Sequence, residues 1–349
     1  MSTNVKKGAT NVTVDTPVTV EVADGTLQSV VVKAAQKKPL AGAFNNAKTE
    51  WKADGFLEPG MTYLVKAKAS RSAGNVSISR STFTTQDLSL DQQTYPSLTP
   101  LQNEVVGVGM PVIVQFDIPV KNKAAFESRM RVETQPSAAG SWNWISDQEV
   151  HWRPKNYWKP GTTIHVAVDV NGVNAGNGVY GQMNRSLDFK IGRAVIMKTD
   201  LASEQMRVMI DGALARTIPI TGGKSGFETR SGTKLIVEKI ASKRMDAATV
   251  GTDPADPEYY NIPNVKYAQR VTFSGEFIHA APWSVASQGF SNVSHGCVGM
   301  STENGAWLFG VTHRGDPVEV TGTQRGLEDN NGWTDWNESF KDYRAGSAL

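Results

Sequence analysis

The chain holds a single cysteine, Cys297, in the stretch Ser294-His295-Gly296-Cys297. A lone cysteine cannot form an intramolecular disulfide, so Cys297 is either a small buried apolar residue or a reactive thiol. Its neighbours favour the thiol. His279 precedes the block, with 14 residues between it and Ser294. A cysteine nucleophile needs a base, a group that orients the base, and donors for the oxyanion. The span from His279 to Cys297 can supply all three. Gly296 permits an unusual backbone angle or a close substrate approach, and backbone N–H groups around Gly296 and Cys297 can point at a developing oxyanion. A nearby imidazolium and the helix start that follows are expected to lower the thiol pKa. Two histidines and a cysteine are also a partial zinc set, but a structural zinc takes four ligands. No second cysteine exists, and His151, His165 or His313 would have to be brought in by folding.

The elements that must position these residues read as β-structure with little helix. Short runs alternate apolar and polar residues: Val18 to Val22, Ser29 to Ala34, Tyr63 to Lys68 and Asn75 to Thr84. Asp24-Gly25, Glu58-Pro59-Gly60 and Ala73-Gly74 punctuate them as turns. The spacing predicts a β-sandwich over residues 1–87. A polar passage from Gln86 to Ser97 marks a boundary. A second set then begins: Met110 to Phe116, Arg129 to Thr134, Ser141 to Ile145, Glu149 to Arg153, Thr163 to Val170 and Arg185 to Ile191. It predicts a second sandwich over 88–192. Glu58-Pro59-Gly60 before Tyr63-Leu64-Val65 echoes Lys159-Pro160-Gly161 before Thr163-Ile164-His165-Val166, a weak sign that one sandwich is a diverged copy of the other. Trp142, Trp144, Trp152 and Trp158 could form a sugar-stacking platform; core or interdomain packing is the expectation.

The third unit, 193–322, opens with strands Ala194 to Lys198, Gln205 to Ile210, Arg216 to Thr221 and Thr233 to Lys239. Val271 to Ile278 reads as one or two strands leading into His279. Gly222-Gly223-Lys224-Ser225-Gly226 lacks the spacing of a phosphate loop and reads as a flexible turn. Ser301 to Thr312 is the clearest helix, capped by Ser301 or Thr302 and ended at Arg314-Gly315. The last segment, 323–349, carries Trp333, Trp336, Phe340 and Tyr343, too many aromatics for a solvated tail, and is expected to fold back on the third unit.

Composition excludes several classes. The 36 Lys and Arg balance 34 Asp and Glu to a formal charge of +2, and they are scattered, which argues against nucleic-acid binding. No apolar run approaches the roughly 18 residues that span a bilayer, and the polar start Met1 to Lys7 lacks the apolar segment of a signal peptide.

Phe277-Ile278-His279-Ala280-Ala281-Pro282-Trp283-Ser284, followed by Ser294-His295-Gly296-Cys297-Val298, resembles the active-site signature of the L,D-transpeptidases, the YkuD-type catalytic domain. Two sandwiches, a catalytic domain and an aromatic tail with Asp335-Trp336-Asn337 and Tyr343-Arg344-Ala345-Gly346 look like the multidomain actinobacterial members. The implied fold is mainly β: two Ig-like β-sandwiches, a β-rich catalytic domain with a short helix, and a C-terminal subdomain packed on it. The implied reaction is formation of 3→3 cross-links in peptidoglycan. Cys297 resembles the nucleophile, attacking the third stem residue of a donor tetrapeptide and expelling the terminal D-alanine. His279 resembles the base, held by the carbonyl of Ala280. His295 and Gly296 would shape the oxyanion region, with Ser294 in support.

By placement, Met245 resembles a lid methionine and Tyr260 a tyrosine lining the donor pocket, with Tyr259 nearly as good; Trp283 either walls the channel or packs the core. Gly299 departs from the family, many members of which carry Asn two residues after the cysteine; tuned substrate fit is the expectation. No metal or cofactor is implied. The partners implied are stem peptides, a diaminopimelate amine as acceptor, and carbapenem-type β-lactams as covalent inhibitors. The family also implies a place outside the membrane, on a lipoprotein anchor that precedes the first residue of this chain. An L,D-carboxypeptidase using water, or a non-catalytic wall-binding spacer, are the rival readings.

Overall fold

The computed structural model describes residues 1–71 and 75–349, so the turn expected at Ala73-Gly74 lies outside the described residues. Among the described residues strand pairing sorts the chain into three sets. In the first, a sheet of Ser2–Thr3, Thr19–Glu21, Glu50–Ala53 and Gly42–Phe44 faces one of Thr26–Ala34, Thr62–Ser70 and Val76–Thr84. Alternation explains the packing: Val20, Leu27, Val32, Trp51, Tyr63, Val65 and Phe83 turn inward into one core while their neighbours face water.

The second set builds its own sandwich from two four-stranded sheets around Val112, Val114, Phe126, Val150, Ile164 and Val166. The polar passage that marks the boundary runs into strand Pro96–Thr99, which pairs with Val112–Phe116. Its polar residues sit on an edge strand, where one face stays wet. The Pro-Gly echo extends into the topology. Gly60 donates its N–H to Gln86 O and Gly161 to Ile191 O, the first just past and the second at the end of the strand that pairs with the one following the turn. Both glycines have positive φ, 63° and 78°. The tryptophans pack: Trp142, Trp152 and Trp158 are buried, the last two stack with centroids 5.4 Å apart, and Trp158 Nε1 donates to Met110 O at 2.7 Å. Val106 and Val108 share this core with Leu235, Val237 and Trp333, which joins the second sandwich to the third unit.

The third unit packs a five-stranded sheet (order Ala213–Pro219, Gln205–Ile210, Val195–Asp200, Pro317–Thr321, Gly232–Leu235) against a four-stranded one: β1 Glu238–Asp246, β2 Asn261–Arg270, β3 Phe277–Ala280 and β4 Val298–Met300. Between them lies a core of Met197, Val208, Ile220, Ile278, Met300 and Leu308. The strand expected over Thr233 to Lys239 is two strands in different sheets, because the chain changes sheets at Ile236-Val237. The strand expected from Val271 begins only at Phe277; Thr272 to Glu276 form a turn, in which the Thr272 hydroxyl accepts from Glu276 N–H at 2.8 Å. The helix spans Thr302–Val311 with Ser301 as N-cap, and stops at Thr312 rather than Arg314-Gly315, because Thr312 turns to the extended conformation.

The tail does not pack on the third unit alone. It runs along that unit through Asn337, whose amide bonds Thr233 O, and ends in a helix, Phe340–Ala345, seated on strand Gly140–Trp144 of the second sandwich. The reason is Arg153, buried in that sandwich, whose guanidinium lies 4.5, 5.4 and 4.3 Å from the rings of Trp336, Phe340 and Tyr343. Cation–π contacts of a desolvated Arg draw the aromatics there, and His151, between Asp335 and Glu149 at 2.8 Å each, adds a buried ionic link.

Candidate active site

Strands β3 and β4 are parallel neighbours, with Ile278 opposite Val298, His279 opposite Gly299 and Ala280 opposite Met300. Parallel pairing requires a crossover, and residues 281–297 form it, carrying a short 3₁₀ turn and the Ser294–Cys297 block. Side chains alternate along a strand, so Phe277 and His279 share one face of β3, and Cys297 and Gly299 share the corresponding face beside it. His279 and Cys297, together with Met245, Tyr260, Trp283, Ser294 and His295, line one cavity of about 190 Å³, completed by Thr221, Ile262, Ala281, Ser284, Val293 and Gly299. Gly305 lets the helix lie against the strand that carries His279: a Cβ there would sit 3.2 Å from Ala280 Cβ.

His279 is 5% exposed and its Nδ1 lies 2.8 Å from Ala280 O. A carbonyl only accepts, so Nδ1 carries the proton and Nε2 keeps a free lone pair. Burial holds its pKa below the usual histidine value, so the ring is neutral at neutral pH. The Trp283 ring stacks on it at 5.8 Å.

Cys297 is 8% exposed, and Phe277 N–H points at its Sγ from 3.4 Å. The thiol pKa is not lowered as expected. Burial among Met245, Val265 and Phe277 disfavours the thiolate and pushes it up to about 11, while the Phe277 N–H, Lys234 and Arg270 pull the other way and Glu276 adds to the rise. The helix start gives no visible help: it lies beyond β4, and its orphan N–H is capped by Ser301 Oγ at 3.2 Å. The resting pair is therefore thiol and neutral imidazole.

Gly296 has φ 114°, a left-handed angle that disfavours any side chain. Ser294 Oγ donates to Cys297 O at 2.6 Å and accepts from Gly296 N–H at 3.1 Å, so the Gly296 N–H expected at the oxyanion is already engaged. Among the described residues the Cys297 N–H makes no hydrogen bond, which leaves it the uncommitted donor beside the thiol.

His295 Nε2 lies 2.7 Å from Glu258 Oε2, and its ring packs against Phe227 and Tyr260. Lys224 and His295 together hold the Glu258 carboxyl below the usual range. Tyr260 therefore reaches the cavity while the Tyr259 hydroxyl turns away to Asp246, at 3.1 Å.

Gly222 to Gly226 is no free turn. Ser294 N–H donates to Gly222 O and Lys224 N–H to Ser294 O, both at 2.9 Å, so the segment is zipped to the catalytic loop. Thr229 adds a bond from its hydroxyl to Gly296 O at 2.9 Å. Neither Thr229 nor Glu258 carries a sequence signal beyond its type; both are found only by folding. His151, His165 and His313 lie elsewhere, the first two on carboxylates, and no cluster of three or more metal-ligating side chains forms among the described residues. A larger groove of about 630 Å³ between the sandwiches, past Lys38, Phe56 and Arg131, contains no cysteine or histidine.

Known proteins share this arrangement. A family model described as the bacterial Ig domain matches residues 9–174, and one described as the L,D-transpeptidase catalytic domain matches 194–320. L,D-transpeptidase 2 of Mycobacterium tuberculosis is 35% identical over 349 residues, which is 100% of this chain and 85% of that protein. L,D-transpeptidase 5 of the same species is 33% identical over 95% of this chain and 73% of its own. The structure of L,D-transpeptidase 3 from Mycobacterium tuberculosis in complex with a faropenem-derived adduct superposes with a TM-score of 0.54 at 31% identity, covering 64% of this chain and 97% of that one. The chain belongs to the L,D-transpeptidase family, with Ig-like sandwiches ahead of a YkuD-type catalytic domain.

Proposed function

We propose that this enzyme forms 3→3 cross-links in peptidoglycan through a thioester on Cys297. The observation that carries the reading is a neutral His279, Nε2 unprotonated, opening on the same cavity as the protein's one thiol. When a donor tetrapeptide stem enters, Nε2 takes the Sγ proton as sulfur attacks the carbonyl of the third residue. The Cys297 N–H faces the oxyanion. Collapse breaks the bond to the terminal D-alanine, whose amine receives the proton from the imidazolium. The acceptor's diaminopimelate amine then attacks the thioester, His279 removes its proton, and the thiol is restored.

Ala280 O fixes the tautomer; Ser294 and Gly296 set the turn; His295 walls the pocket with Tyr260, Met245 and Trp283. Because burial strongly favours the thiol over the thiolate, proton transfer must accompany attack rather than precede it. The faropenem-derived adduct of L,D-transpeptidase 3 and the imipenem complex of L,D-transpeptidase 1 support β-lactams, carbapenems among them, as covalent ligands of Cys297 here. Peptidoglycan lies outside the cytoplasmic membrane, so we place the enzyme there, held by a lipid anchor in its precursor, with the sandwiches as spacers.

Incubation with a tetrapeptide-stem muropeptide tests the reading. A cross-linked dimer with release of D-alanine is expected. Tripeptide without dimer would instead mark an L,D-carboxypeptidase, and no turnover would mark a spacer.

A further inference from the structure

Behind the wall that carries Cys297 lies a charged cluster that the transfer steps leave unused. Lys234, in strand Gly232–Leu235, is 1% exposed, and its ammonium is paired with Glu276 Oε2. Arg230 reaches the other carboxylate oxygen of Glu276 through Nη1 at 3.0 Å and Glu328 through Nε at 2.5 Å. Glu276 Oε1 also accepts the Arg230 backbone N–H at 3.1 Å. Withdrawing ions from water costs several kcal/mol each, so a buried cluster of this kind is weak evidence of a stabilising role.

Its placement points to the nucleophile. Glu276 immediately precedes Phe277, whose N–H meets Cys297 Sγ at 3.4 Å. A Cβ built on Gly296 would lie 3.6 Å from Glu276 Cγ and Oε1, so the carboxylate backs directly onto the turn before Cys297. Thr229, which holds Gly296 O, immediately precedes Arg230. Glu328 also partners Arg230, so the four charges balance, and the two cations offset the buried carboxylate that backs onto the turn. The other groups facing the thiol region are Arg270 and Lys243, over the Phe277 ring at 4.7 and 5.7 Å, with His279, Tyr260 and His295 across the cavity. Glu276 opposes the Cys297 thiolate, and Lys234 and Arg270, each to a smaller degree, favour it.

We propose that Lys234, Glu276 and Arg230 are positioning residues: the two cations hold the Glu276 carboxylate paired behind the Gly296–Cys297 turn, so that the sulfur ionises beside a neutralised carboxylate rather than a bare one. This rests on Cys297 being the nucleophile.

Alkylation of the protein's one cysteine by iodoacetamide, followed against pH, needs no peptidoglycan substrate, so it fails or succeeds apart from the transpeptidase assay. Lys234→Met leaves the Glu276 carboxylate only partly paired behind the turn and is expected to move the alkylation midpoint upward, slowing the reaction about tenfold at pH 8. The double variant Lys234→Met/Glu276→Gln removes that carboxylate as well and is expected to return the midpoint close to wild type. A cluster with only a structural role would lower melting temperatures and leave the midpoints together, and that result overturns the proposal. Should Lys234→Met not fold, Arg230→Gln decides: an upward midpoint supports the proposal and an unmoved one overturns it.

Discussion

Substituting Gly299 with Asn, the residue common at this place in the family, is expected to destabilise this enzyme. Gly299 is held between two segments. It exchanges N–H···O bonds of 2.9 and 2.8 Å with Thr221, and the neighbouring Met300 O accepts Ala281 N–H at 2.8 Å. A Cβ on residue 299 would lie 2.9 Å from Ala281 Cβ and 3.1 Å from Thr221 Cγ2. Carbon atoms pack at about 3.5 to 4.0 Å, so both neighbours must retreat by about half an ångström or more, against three backbone hydrogen bonds. Overpacking of this kind costs about 1–3 kcal/mol, which lowers a melting temperature by roughly 2–4 °C per kcal/mol in a unit of this size. Calorimetry of Gly299→Asn is thus expected to show a melting point lower by about 5 °C. Carbapenem acylation should slow as well, because residue 299 lines the cavity two positions past Cys297. Ala281→Gly in the same chain removes one colliding carbon and should recover part of the loss. A Gly299→Asn protein that melts within a degree of wild type would refute the packing argument.

Ser294→Ala frees Cys297 O and Gly296 N–H together. At about 1 kcal/mol per hydrogen bond, roughly 2 kcal/mol of stability should be lost in urea unfolding, with slower acylation. Burial holds the His279 pKa below 6.5 and the base must be neutral, so the acid limb of the acylation rate should fall below pH 6.5 and vanish in His279→Gln, measured by stopped-flow. His151 is raised from 6.5 to about 9 by Asp335 and Glu149, against the opposing effect of its burial. Its folded value exceeds its unfolded one, so its contribution is complete below 6.5 and lost as pH climbs through 9. At most about 3 kcal/mol is at stake, and His151→Gln should flatten the decline in melting temperature over that window.

Much of this was legible in the residues. Alternating runs such as Tyr63 to Lys68 and Gln205 to Ile210 fall within strands because a half-buried strand imposes period two. Ser294-His295-Gly296-Cys297 with His279 marked residues that the fold brings to one cavity, since thiol and imidazole are scarce in this chain. What escaped depends on partners remote in sequence. The tail's seat on the second sandwich follows from Arg153, whose burial nothing local announces. The raised thiol pKa follows from Met245, Val265 and Phe277, distributed over three strands. Glu276 and Lys234 are ordinary charges within strand-like runs until the fold buries them together. The long hairpin of β1 and β2, which brings Met245 and Tyr260 over the cavity, is polar along much of its length and shows no clean alternation.

Intact-protein mass spectrometry after exposure to a carbapenem tests the central claim most directly, that Cys297 is a nucleophile served by His279. The expected result is one adduct of the drug's mass, mapped to Cys297, absent in Cys297→Ala and formed far more slowly in His279→Gln. An unmodified wild-type protein, or an adduct that survives in Cys297→Ala, would contradict it.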